Sequence, residues 1–205
     1  MKWIVIVPLF LLSTIVLHES GHALTAYVLG VENISIRIWP GFTLFSTFSD
    51  YEYLMRLQSP MTGVASTDLF FLPETFSQMD GGLCMLMGSG VTFIISLICL
   101  FWYVVYRPSG KQQACCIAGM LLVYDAFTYV IFPTVFGVRH LIVIGGNKPE
   151  PLIALEYLGV ETMAINVFIC WLIAQVVVTG WLLCFRTQNA GMVNNAVRPF
   201  FRAPG

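Results

Sequence analysis

Val16-Leu17-His18-Glu19-Ser20-Gly21-His22-Ala23-Leu24 sets two histidines and a glutamate inside an apolar run that opens at Trp3 and resumes through Leu29. A run of about 27 residues is long enough to cross the hydrocarbon core of a bilayer with some tilt. On a helix, positions four apart share a face one turn from each other, so the imidazoles of His18 and His22 can close on one tetrahedral zinc ion. Glu19 directly follows the first of these ligands. It is placed to take a proton from water at the metal instead of binding the metal itself. An ionised carboxylate at mid-bilayer costs roughly 2.5–3.5 kcal/mol on insertion scales, so the three polar groups argue for a metal site over incidental decoration.

The remaining chain is equally suited to lipid. Of its 205 residues 58% are hydrophobic and 10% charged, with mean hydropathy +0.81, where a soluble domain carries roughly 25% charged residues. A net charge of -1 leaves no basic stripe to neutralise phosphates, which argues against a nucleic-acid partner. Cys84, Cys99, Cys115, Cys116, Cys170 and Cys184 fall in or beside apolar runs, without the spacing of a disulfide framework or zinc knuckle. They read as small core or lipid-facing residues. Met1-Lys2 and the apolar run after it resemble a secretory signal. The run is long enough to span and holds the histidine motif, so a retained helix is expected.

The expected fold is an all-α polytopic membrane protein, one membrane-embedded domain over residues 1–205. About four transmembrane helices are expected, near 3–29, 82–106, 112–136 and 162–185. Pro8 is tolerable near the entry of the first, and Gly30 is a stop. Ser20, Gly21, Ala23 and Ala26 beside the histidines, and Gly88-Ser89-Gly90 in the second span, permit close helix contact. Residues 31–80 read as an interfacial cap. In it Asn33-Ile34-Ser35-Ile36-Arg37-Ile38-Trp39 alternates, turns at Pro40-Gly41 and returns through Phe42 to Phe48 as a small β-hairpin. The functional version of that cap is an edge strand that pairs with an extended substrate; the plain version is a structural lid. Asn33-Ile34-Ser35 also fits a glycosylation sequon. A polar tail, 186–205, closes the chain.

Apart from Glu19, Asp125 is the acidic residue these spans enclose. Two histidines, one carboxylate and an open position for water make the arrangement of a catalytic zinc, so His18, His22 and Asp125 are the candidate ligands of one Zn2+ per chain. The plainer role for Asp125 is a helix–helix hydrogen bond to Thr128, Tyr129 or a serine. Segment 137–161 returns to water with Arg139, His140, Lys148 and Glu150, and 152–158 suits a short surface helix. His140, Glu156 and Glu161 are rival third ligands there. Basic residues place both termini in the cytoplasm, with Lys2, Arg107, Lys111, Arg186, Arg198 and Arg202 inside. The first and third spans then run parallel. At 1.5 Å per residue His18, His22 and Asp125 lie within a few ångströms of one depth.

His18-Glu19-Ser20-Gly21-His22-Ala23, with Asp125 roughly 100 residues later, resembles the site-2 protease family of intramembrane zinc metalloproteases. Gly88-Ser89-Gly90-Val91-Thr92 loosely resembles that family's Gly-Pro-x-x-Asn element. Val123-Tyr124 before Asp125 and Ala126 after it depart from the family's surroundings of the aspartate. Met79-Asp80-Gly81-Gly82 matches the family's Leu-Asp-Gly better by letters but stands at a span's outer edge, which ranks Asp80 second. The resemblance covers the three-helix core and implies peptide-bond hydrolysis in or near the membrane. The expected activity is a zinc metalloendopeptidase with Glu19 as catalytic base, acting on a membrane protein or peptide. Thr92 and Tyr124 are candidates to stabilise an oxyanion. The competing expectation is a non-catalytic membrane scaffold or metal carrier that retains the fold.

Overall fold

A computed structural model describes residues 2–31, 34–38, 42–46, 77–140 and 148–197. The opening motif lies on helix α1, Lys2–Val28, with Pro8 inside it. Gly30 ends the helix in the left-handed region at φ 92°. Its amide donates to Tyr27 O and that of Val31 to Ala26 O, each at 3.0 Å. This pair of bonds satisfies the last carbonyls of the helix, and Val31 clusters with Ala26 beneath the turn.

Strands β1, Ser35–Ile38, and β2, Phe42–Ser46, pair antiparallel, with Ile36 opposite Phe45 and the register shifting between Ile36 and Arg37. Of the expected cap, 31–80, the described residues give mainly these two strands; its end, 77–80, belongs instead to the start of the next helix. Asn33 and residues 47–76 lie outside the described residues, as does 198–205 of the tail.

Helix α2, Gln78–Tyr106, starts a turn before the expected position because Ser77 caps it. The Ser77 hydroxyl accepts from the Asp80 amide at 3.2 Å, while the Ser77 amide and hydroxyl donate to Asp80 Oδ2 at 3.0 and 2.7 Å. A reciprocal cap of this kind stabilises a helix by about 1 kcal/mol. It is the role in which Asp80 is found, away from the histidines.

The third span is a broken helix. Helix α3, Gly110–Leu121, stops at Leu122, helix α4, Val123–Ile131, follows, and a π-helical turn, Phe132–Phe136, ends at Gly137 with φ 64°. At the break, the Leu122 amide donates to Gly119 O and the Asp125 amide to Leu122 O, both at 3.1 Å. These tighter bonds restart the helix at α4 and put Asp125 in its first turn, where the helix dipole favours a carboxylate. Helix α5, Glu150–Tyr157, and helix α6, Thr162–Val197, complete the described chain.

Among the described residues four stretches are long and apolar enough to cross a membrane: Ile4–Val28, Gln78–Tyr106, Gly110–Phe136 and Thr162–Cys184. The all-α multi-pass class therefore stands. Helix α2 is the hub, packed by α1, α3, α4 and α5, while α6 covers α4. Phe93, Val123, Ala126, Val130, Leu152, Ile165 and Leu172 interlock where α2, α4, α5 and α6 meet. The α1–α2 crossing needs Gly21, since a Cβ there would lie 2.1 Å from Met87 O on the α2 backbone. Small residues are how helices approach closely in lipid, where no hydrophobic effect presses them together.

Candidate metal centre

His18 and His22 are both 2% exposed, on the face of α1 that meets α2. The Nδ1 of His22 lies 2.6 Å from Cys84 O. A carbonyl oxygen only accepts, so this Nδ1 carries the proton and Nε2 is the accepting nitrogen of the ring. His18 is fixed in the same sense by Asp125, whose Oδ2 lies 2.9 Å from its Nδ1. The two Nε2 atoms then face each other at 3.1 Å. Two lone pairs at that distance repel unless a proton or a cation sits against both. The separation is close to the ~3.3 Å between two nitrogens on one tetrahedral zinc with bonds of 2.0–2.1 Å.

Gly88 on α2 faces both nitrogens: a Cβ there would fall 2.2 Å from His22 Nε2 and 2.7 Å from His18 Nε2, so only glycine lets the α2 backbone approach the pair this closely. A third donor arrives from Glu150, the first residue of α5. One ligand atom each from His18, His22 and Glu150 lies within 4.8 Å of the others. The donor set of two imidazoles and one carboxylate is that of a catalytic zinc site with an open position.

Asp125, expected as the third ligand, lies beside the histidines. It does so on the Nδ1 edge of His18, away from the facing Nε2 pair. The Thr92 hydroxyl lies 2.7 Å from the same Oδ2 and 2.8 Å from Ser89 O, with one proton to give to the two. A carboxylate is the stronger acceptor. The Thr92 hydroxyl thus supports Asp125. Carboxylate, imidazole and metal in line is how second partners commonly hold a ligand histidine in one tautomer.

Glu19 and Tyr124 line a cavity of about 500 Å³ together with His18 and Asp125. Its walls are the Phe10–Glu19 face of α1 and the Leu121–Tyr129 stretch across the helix break, predominantly apolar away from the histidine. Of the rival third ligands, Glu156 and Glu161 are exposed on the outside of the bundle. His140 is 1% exposed and sits two rings away from the pair: it stacks on Tyr129 at 3.9 Å between centroids, and Tyr129 stacks on His18 at 4.4 Å. Burial holds the His140 imidazole below its ordinary pKa, and the bond from its Nε2–H to Lys148 O only partly opposes that. Glu150 is the residue that sequence reasoning passed over. No local pattern sets it apart from the other acids of that polar segment.

The chain matches no known family model, no curated protein and no solved structure.

Proposed function

We propose that the protein is a zinc-dependent intramembrane endopeptidase, hydrolysing peptide bonds of membrane-associated substrates. The observation that carries this reading is the pair of buried Nε2 atoms facing each other at 3.1 Å, each ring anchored through its Nδ1, with Glu19 at the adjoining cavity. His18 and His22 through Nε2, and Glu150 through its carboxylate, are the residues that would hold the ion, with Asp125 as the orienting partner of His18. A zinc ion bound there supplies Lewis acidity toward a carbonyl oxygen and lowers the pKa of a water to near neutrality.

Glu19 takes the proton from the attacking water and delivers it to the leaving amine nitrogen, so that one carboxylate serves as base and then as acid. Asp125 accepts from the His18 Nδ1–H and so would hold the Nε2 lone pair of that ring toward the ion. The apolar cavity receives a membrane-embedded segment whose backbone must be extended at the cut, since a helical peptide bond is shielded by its own hydrogen bonds. The reading agrees in class with the site-2 protease resemblance and departs from it in drawing the third ligand from Glu150. Both termini are placed in the cytoplasm on the charge pattern.

Elemental analysis of detergent-purified wild type, His22→Ala and Glu150→Gln tests the site. About one zinc per wild-type chain, lost in His22→Ala and weakened in Glu150→Gln, is expected. Glu19→Gln should retain zinc and lose cleavage of a fluorogenic apolar peptide library in micelles. Full activity in that variant would end the mechanism.

A further inference from the structure

Glu150 reaches the histidines from a helix that begins outside the third span, so something must hold its backbone in place. Lys148 O receives the Glu150 amide at 2.9 Å across Pro149, whose φ of -77° and ψ of 74° make an inverse γ-turn. The same carbonyl lies 2.6 Å from His140 Nε2. His140 is in turn pinned by its stack on Tyr129, and Tyr129 by its stack on His18. Its other nitrogen, Nδ1, is buried and meets no partner among the described residues. A buried ring that leaves one polar atom unsatisfied is costly compared with an apolar ring of the same shape. What the imidazole offers that such a ring lacks is the single donated bond to Lys148 O.

We infer that His140 is a positioning residue, a latch that donates to Lys148 O and thereby holds the carboxylate of Glu150 at the His18–His22 pair. The inference rests on the metal reading above for what Glu150 meets there. The latch itself is a matter of this chain's own bonds. Pro149 O accepts from the Leu152 and Ile153 amides at 2.9 and 3.1 Å, so fixing Lys148 fixes the first turn of α5 as a unit.

The test separates the donated bond from the stack. His140→Phe keeps an aromatic ring against Tyr129 and removes the donor, while His140→Gln restores a donor near the position of Nε2. In metal-free protein, hydrogen exchange of residues 150–157 should accelerate in His140→Phe and return to the wild-type rate in His140→Gln. Zinc affinity, measured by competition with a chromophoric chelator, should fall about 10- to 100-fold in His140→Phe, the range for lost outer-sphere support. It should stay within about threefold of wild type in His140→Gln. Because the latch acts through Glu150, His140→Phe should cost nothing further in a Glu150→Gln background. Unchanged exchange in His140→Phe overturns the latch, and an undiminished loss of zinc affinity in the Glu150→Gln background overturns its action through Glu150. Faster exchange in a protein whose wild type takes up no zinc upholds the latch and strikes the metal reading alone.

Discussion

Placing one methyl group in front of the histidines, by Gly88→Ala, is the sharpest perturbation available. The new Cβ would lie 2.2 Å from His22 Nε2, 2.4 Å from its Cε1 and 2.7 Å from His18 Nε2, where ordinary contact begins at 3.4 Å. The nearest atom must therefore retreat by 3.4 − 2.2 = 1.2 Å. Metal–ligand distances tolerate about 0.2 Å. Loss of outer-sphere support alone weakens metal binding about 10- to 100-fold, so jamming two direct donors should cost more than about 100-fold in zinc affinity. Stability changes less. Overpacking costs about 1–3 kcal/mol, partly offset by the roughly 1 kcal/mol that alanine gains over glycine in a helix. Gly90→Ala is the matched control, since its Cβ meets the flexible Met87 Sδ at 3.3 Å. Chelator competition and thermal unfolding in one detergent read both effects. Gly88→Ala with wild-type zinc affinity would refute the placement of the ion between these nitrogens.

Asp125→Asn should weaken zinc about 10- to 100-fold without changing the stoichiometry at saturation, because it removes the charge behind His18 and no direct donor; complete loss of zinc would make Asp125 a ligand. Gly21→Ala should lower the thermal midpoint of the metal-free protein, since α1 must back away from Met87 O; an unchanged midpoint would count against the helix crossing. The pH dependence of stability carries a signature of His140. Its folded pKa is held below the ordinary value, so the unfolded chain binds the proton first as pH falls. The bond network around it then contributes fully above about pH 6.5 and progressively less below. The decline from pH 8 to 5.5 should be smaller in His140→Gln, and equal declines would contradict the burial argument.

Most of the membrane architecture was legible in hydropathy, because four spans with few charges leave little alternative. The histidine pair and Glu19 were legible because polar groups in such a run need a reason. Asp125 was legible as a partner of the site but not in its detailed role. Which ring nitrogen it meets depends on the rotation of α4, which the break at Leu122 resets, and Met120 to Ile131 contains no proline or glycine to announce that break. Asp80 matched a family motif by letters, yet Ser77-x-x-Asp80 was also a readable capping pattern, and the helix start took it. Glu150 was one acid among several in a polar segment, and its selection follows from the turn at Pro149 and the bond to His140, which no local pattern encodes.

The three groups that join at Asp125 enter the membrane in a fixed order. Thr92 and His18, both donors, precede it in the chain, His18 by 107 residues. At a synthesis rate of about 5–20 residues per second, His18 is made roughly 5–20 s before the carboxylate it will hold. The costly charge is thus the last of the trio to be made, and it arrives where two proton donors are already in place. Reordering the spans by circular permutation would make the carboxylate first, and would burden insertion although the finished fold is the same.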